Sequence, residues 1–275
     1  MLQVSSAMKD YAIAAKDATI GTVSDFLFDQ ATWTVRWLVV DTGKWLTGRK
    51  VLVHPSAIDH VDQEQRQIEV ALTKKQVEDS PDIGQDRPVS QQMQNDIYGY
   101  YGWDPLWNGG MYGAGMYGGG LYTGGLFAGG MGATGMPAAS LAERDQLHGG
   151  PGWQGGNAGL ALDEGDPNLR SVAEVTKYHV HAADGGIGHV EHVLFDTPSW
   201  SIRYLVVNTS NWWVGQHVLI SPHAIKDIDW SDRSIRLDVT RAKVKASPPW
   251  NPSDPIDGTF ERQLHEYYGW PGHRG

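Results

Sequence analysis

A shift of 167 residues lays the first part of this chain over the last. Tyr11-Ala-Ile-Ala-Ala-Lys-Asp17 falls on Tyr178-His-Val-His-Ala-Ala-Asp184, and Ile20-Gly21 on Ile187-Gly188. Leu27-Phe28-Asp29 meets Leu194-Phe195-Asp196, Trp33 meets Trp200, and Leu38-Val39-Val40 meets Leu205-Val206-Val207. The register runs without a gap through Pro55-x-Ala57-Ile58 and Pro222-x-Ala224-Ile225 to Tyr100-Tyr101-Gly102-Trp103 and Tyr267-Tyr268-Gly269-Trp270. Of 93 aligned positions 34 are identical. An internal repeat restricts the fold to one that a short unit can adopt twice.

The two copies act as a two-row alignment within one chain. Shared positions are mostly apolar, Gly or Pro, the residues that set a core and its turns. Side chains with chemistry are not shared: His54 faces Ser221, Lys50 faces His217, and Ala14 faces His181. Asp17/Asp184 and Asp29/Asp196 do recur, each beside a turn signal, and read as carboxylates capping turns through their own backbone. No acid, base and nucleophile recur together, so no catalytic residue is assigned and the chain reads as a non-enzyme.

Within copy one, Ile20–Asp29 and Trp33–Asp41 are rich in Val, Phe, Trp and Thr and read as strands joined by a hairpin at Asp29-Gln-Ala-Thr32. Val35, Trp37 and Val39 alternate with Arg36, Leu38 and Val40, apolar on both faces, which predicts a strand covered by more than one layer. Strands are also predicted at Lys50–His54, Ala57–Val61 and Gln67–Leu72. Five or six short strands at about ten-residue spacing argue a small barrel or sandwich. Thr73 and Thr240 read as N-caps of brief helical turns. Beyond these, Ser90–Tyr98 and Gly258–Glu266 carry apolar residues at 93/97 and 260/264, a helical stripe running into Tyr-Tyr-Gly-Trp. Each predicts a helical arm whose aromatic end docks on its own or the neighbouring barrel. The fold class is therefore all-β: barrel one over 8–83, its arm over 84–106, a Gly-rich linker over 107–170, barrel two over 171–250 and its arm over 251–275.

The succession Asp-x-x-Ile-Gly-x-Val, Leu-Phe-Asp, Arg-[Trp/Tyr]-Leu-Val-Val and Pro-x-Ala-Ile, met twice in order, resembles the PRC-barrel family. The Ser-Pro and Tyr-Tyr-Gly-Trp tails look like its stand-alone bacterial group. The family includes the cytoplasmic domain of the photosynthetic reaction-centre H subunit and the C-terminal domain of a ribosome-maturation factor. The resemblance implies a small barrel serving as an assembly or docking surface, with no catalytic residues to carry across. This chain lacks the membrane helix of the first relative and the preceding domain of the second. Assembly of a photosynthetic electron-transfer complex therefore rests on family analogy alone.

Between the copies, Gly102 to Gly159 hold 20 of the 34 glycines. A five-residue period runs through them from Met111-Tyr-Gly-Ala-Gly to Met131-Gly-Ala-Thr-Gly. Five matches neither helix nor strand, so the stretch reads as a linker whose relaxed span lets the barrels meet. Its regular Tyr112, Tyr117, Tyr122 and Phe127 also make it a candidate sticky segment for a partner. Trp45, Trp212 and Trp213 lie in inter-strand loops with Gly and are candidates for a binding face or for packing over the barrel mouth.

Eight of the eleven His fall in copy two. His179 and His181 share a strand face, which suits metal ligation, but no third ligand is placed beside them by sequence. No cofactor is expected: there is no Cys, and no phosphate-binding Gly-rich motif sits between a strand and a helix. The net charge of −10 disfavours a nucleic-acid partner. With no transmembrane segment and no secretory leader, the location expected is the cytoplasm. The function expected is a scaffold or adaptor whose paired barrels dock a protein partner. Homo-oligomerisation and peripheral association with a membrane complex stay open. The alternatives are a ribosome- or RNA-associated assembly factor and a small-ligand or metal-binding module.

Overall fold

The computed structural model describes residues 2–46, 48–81, 89, 91–103, 166–209, 216–251 and 256–272. The first repeat comprises β1 (Leu2–Val4), α1 (Ser5–Met8), β2 (Ala12–Ala14), β3 (Thr19–Asp29), β4 (Thr34–Asp41), β5 (Lys50–Val53), β6 (Ile58–Asp62), β7 (Gln67–Val70), α2 (Lys74–Glu78) and α3 (Gln91–Tyr101). The second comprises β8 (Leu169–Ser171), α4 (Val172–Val175), β9 (His179–Ala182), β10 (Gly185–Asp196), β11 (Ile202–Asn208), β12 (His217–Ile220), β13 (Ile225–Asp229), β14 (Ser234–Leu237), α5 (Arg241–Lys245) and α6 (Gly258–Tyr268). Each element recurs 167 residues on, to within a residue at its ends. None of the described helices is long and apolar enough to cross a membrane.

The strands form two seven-stranded sheets, ordered β5-β4-β3-β2-β7-β6 and β12-β11-β10-β9-β14-β13, each with one further strand. Within each, β2 meets β7 and β9 meets β14 in parallel, and the other ladders are antiparallel. The outer strands β5 and β6 are consecutive in the chain. Laid flat, five strand spacings would part them by roughly 24 Å. The five residue steps from Val53 to Ile58 reach at most ~17 Å, and three of the residues between form the 3-10 turn Pro55–Ala57. The sheet must therefore roll until its edges approach. This gives the expected barrel shape, with the last gap spanned by a turn; no ladder joins the two edges among the described strands.

Two glycines fix where the long strands cross. At Gly21 (φ +154°) a β-carbon would lie 2.2 Å from the Asp41 carbonyl oxygen, and at Gly188 (φ +150°) 1.9 Å from that of Asn208. No side chain fits there, so the Ile-Gly pair shared by the repeats is a close-approach requirement. The turn caps divide. Asp29 accepts from the backbone N–H groups of Ala31 and Thr32 at 2.8 and 3.0 Å, as expected. Asp17 and Asp184 instead reach the first turns of α2 and α5, which follow the adjacent parallel strands β7 and β14, accepting from Lys74 N–H and Arg241 N–H at 2.7 Å. The Thr73 and Thr240 hydroxyls cap the same helices.

Both faces of β4 are covered. Val35, Leu38 and Val40 enter the main core, whereas Trp37 and Val39 join Leu52, Ile97 and Tyr98 in a separate cluster under α3. Each arm docks on its own repeat. Trp33, expected to begin β4, instead sits in the preceding turn at φ +54°, as Trp200 does at +55°.

The repeats exchange their first strands. β1 of the first repeat pairs antiparallel with β10 of the second, Leu2 opposite Asp196, and β8 of the second pairs with β3 of the first, Ser171 opposite Leu27. Between the exchanged strands, Val35 N–H donates to Trp200 O at 2.8 Å and Ile202 N–H to Trp33 O at 2.7 Å. They flank the bridge Thr34–Ser201, whose two residues are themselves 167 apart, so it lies on the pseudo-two-fold axis. Phe26 packs 5.1 Å from Phe195, and one apolar core runs through both sheets, which belong to one compact unit.

Residues 2–4 thus lie in the other repeat's sheet, outside the barrel boundaries drawn from sequence. Residues 166–170, assigned to the linker, are part of the fold. Asp166 N–H donates to Val89 O at 2.8 Å and Gln30 N–H to Asn168 O at 2.8 Å. Trp103 on one side of residues 104–165 and Asp166 on the other are both held by the first repeat. The chain passes from the first repeat into the second through β8, paired with β3, and α4.

Candidate functional site

The surfaces best placed to act are the arm-covered faces, the seam between repeats and the grooves beside them. In the first repeat, the fully buried Trp37 donates Nε1–H to Gln94 Oε1 at 3.0 Å, and Gln94 Nε2 donates to Asp166 at 2.8 Å. Tyr98 and Trp103 pack on the indole at 4.9 and 6.2 Å. At the equivalent places the second repeat has Tyr204, Glu261 and His265. The Tyr204 hydroxyl contacts Glu261 Oε1 at 3.1 Å and His265 Nε2 at 2.8 Å, and His265 Nδ1 donates to the Pro271 carbonyl at 2.7 Å. Arg203 lies 3.8 Å from Glu261. Burial, reinforced by the Glu261 carboxylate, pushes the Tyr204 phenol far above the ordinary tyrosine range. Burial likewise pushes Tyr268 up to about 12 and holds His223 below the usual histidine value, with His265 and Arg203 adding to the latter.

One pairing of ring types recurs through a change of residues, with the rings tilted at 32° in the first repeat and edge-on at 81° in the second. His54, fully buried at the end of β5, stands 5.7 Å from Trp103. The second repeat has Ser221 there, yet His265 of α6 stands 5.7 Å from Trp270. A His–Trp contact is thus present in both repeats, its imidazole supplied by different elements. Aligned positions cannot reveal this.

At the seam, Asp25 accepts from Ser171 Oγ at 2.5 Å and from Ala173 N–H at 3.0 Å, capping α4 of the other repeat. Burial raises its pKa despite these donors. On the opposite side Ser5 Oγ accepts from Val193 N–H at 3.2 Å. A groove of about 460 Å³ runs between β6 and the β10–β11 turn, with Trp200 in its wall. A second, of about 700 Å³, is lined by His181, Gly185, Lys226, Arg236 and Asp238. A third, of about 260 Å³, lies beside Arg36, Gln94 and Asp166.

Of the sequence-flagged residues, Trp45 is half-buried. Its indole N–H donates to Ile20 O at 2.8 Å and the Lys74 ammonium sits 4.7 Å from its ring, so it packs down on its own barrel. Trp212, Trp213, Tyr112, Tyr117, Tyr122 and Phe127 lie outside the described residues. His179 and His181 are exposed on β9. Cross-strand pairing sets His189 of β10 directly opposite His179, a neighbour that reading one strand could not supply. Even so, among the described residues no group of three or more ligating side chains is placed to hold a metal ion.

The first repeat is similar to known proteins. The PRC-barrel domain family matches the chain over residues 10–77. An uncharacterised protein of Deinococcus radiodurans is 36% identical over 76 residues, which are 28% of this chain and 27% of that protein. The match thus spans about a quarter of that relative's length. With the rolled sheet and the Ile-Gly crossing falling inside the matched segment, residues 10–77 are a PRC-barrel domain.

Proposed function

We propose that the chain is a non-enzymatic scaffold of two PRC-barrels, residues 171–250 forming the second, that presents a rigid docking surface to a protein partner. The observation that carries this reading is the reciprocal exchange of β1 and β8. It fixes the two barrels at one angle through ladders and a common core, a geometry suited to a surface whose two halves must keep their spacing. The identity of the second repeat is supported by its equal element order and its 34 shared residues. The absence of chemistry is supported by what the buried polar groups do. Asp25 caps a helix, Gln94 ties an arm to the returning chain, and Ser5 receives a strand N–H.

Cross-linking of the tagged full chain in its native lysate, followed by titration of each recovered protein against the purified chain, tests the proposal. One partner binding directly at micromolar affinity or tighter, with cross-links on both barrels, is the expected result. Recovery of RNA in place of protein, or no component that binds when purified, would overturn it.

A further inference from the structure

We infer that the outer face of the second sheet binds one divalent transition-metal ion through the imidazoles of His179 and His189. The two residues stand opposite each other on β9 and β10. His179 gives its backbone N–H to Arg233 O, away from β10, at 2.9 Å; the rung to β10 is made one step along, by Val190 N–H on Tyr178 O at 2.9 Å. The two histidines are therefore a non-hydrogen-bonded pair, the kind whose Cα atoms lie about 4.5 Å apart and whose side chains stand closest. Cβ atoms about 5 Å apart let two imidazoles each place a nitrogen at about 2.0–2.1 Å from one ion. His179 is exposed and His189 half-buried, so the rings meet at the surface, where they turn between rotamers.

Charge favours His189 over His181 as the partner of His179. His181 shares the face of His179 but lies two residues along β9, about 6.6 Å away. Its Nδ1 is 3.7 Å from where a β-carbon on Gly186 would be, so the ring rests over that glycine. Arg236 stands beside His181 in register, and a guanidinium opposes a second cation. On the other side, His189 faces Asn208, which donates Nδ2–H to Glu191 Oε2 at 3.3 Å. The same oxygen accepts from His217 Nε2 at 2.7 Å. A carboxylate thus adjoins the His179–His189 pair, and an arginine adjoins His181.

The first repeat is an internal control. There Ala12 and Thr22 face each other in the same register, and Lys50 stands where His217 does. The pair is therefore a property of the second repeat and not of the fold. No third ligand converges on it among the described residues, so water completes the coordination and binding rests on the two-point chelate. Imidazole nitrogen selects copper(II) and nickel(II) ahead of zinc, and all three ahead of the oxygen-seeking magnesium and calcium.

Isothermal titration of the full chain with nickel(II) chloride tests this. Wild type is expected to take up one ion, and magnesium chloride to give no binding heat. His179→Ala and His189→Thr install the residues that the first repeat carries at the same places. Each is expected to weaken nickel binding by at least about tenfold, because a chelate reduced to one arm loses its intramolecular second step, with an unchanged melting curve. His181→Ala is expected to bind as wild type does. The graft Ala12→His/Thr22→His, which copies the pair into the first repeat, is expected to add a second ion. A wild type that binds no nickel, binding that survives His179→Ala and His189→Thr, an equal loss in His181→Ala, or a graft that gains no ion would each overturn the inference.

Discussion

Replacing residues 104–165 by ten Gly/Ser residues should raise the stability of the two-barrel unit. Trp103 and Asp166 bracket this stretch, and short contacts link them: Trp103 packs 6.2 Å from Trp37, Trp37 bonds Gln94 at 3.0 Å, and Gln94 bonds Asp166 at 2.8 Å. Ten residues reach about 33 Å, ample for that gap. Closing a chain of 62 residues costs more entropy than closing one of ten, by (3/2)RT ln(62/10), about 1.6 kcal/mol. For a unit of roughly two hundred residues this corresponds to a rise in Tm of about 3–6 °C. Differential scanning calorimetry of the two proteins measures it, with a single transition expected in both because the core is common to both sheets. A fall in Tm, or separate melting of the repeats, would refute the reasoning, since the excised residues would then contribute contacts beyond the brackets.

Gly21→Ala should destabilise by more than about 3 kcal/mol in a chemical melt, since the new methyl meets the Asp41 carbonyl at 2.2 Å on a backbone of positive φ. Gly99→Ala, in the exposed middle of α3 with nothing within 4 Å, should stabilise by about 0.5–1 kcal/mol. Burial raises the folded pKa of Asp25, so its ionisation penalty is full above that value and is relieved as pH falls through it. Denaturant melts from pH 7 down to about 4 should therefore shift in favour of wild type over Asp25→Asn, and a pH-independent difference would contradict the assignment. In a double-mutant cycle, His54→Ser and Tyr98→His, which copy the second repeat into the first, should couple by about 1 kcal/mol. Additivity to within about 0.3 kcal/mol would show that the imidazole does not replace its counterpart.

Much of the fold was legible because period and turn chemistry are local. The two apolar faces of β4 are visible in the alternation of Trp37 and Val39 with Leu38 and Val40, although Val35, expected on the Trp37 face, lies in the main core; the stripe 93/97 announces α3. The strand exchange was not legible. Leu2–Val4 and Leu169–Ser171 are three-residue strands whose partners lie at least 140 residues away, and three residues carry no period. Composition also misplaced Asp166 to Arg170, because a few polar residues beside a Gly-rich stretch look like more of it. His189 escaped attention because its nearness to His179 follows from a hairpin register, which depends on a bulge at Gly186/Gly188.

The two-row comparison also shows how far residue identity can mislead about chemistry. His54 facing Ser221 reads as a side chain present in one copy and lost from the other. The structure keeps a His–Trp contact in both, 5.7 Å in each, by moving the imidazole from the end of β5 to α6. The neighbours change with it: Trp37 donating to Gln94 becomes Tyr204 beside Glu261 and Arg203. A catalytic group could not be relocated in this way, because its reaction fixes where the reacting atom must be. A packing group can, because the arm needs only a flat ring that fills the space. Tolerance of relocation under the arms, set against the shared Gly21/Gly188 crossing, supports reading those faces as the frame of the protein.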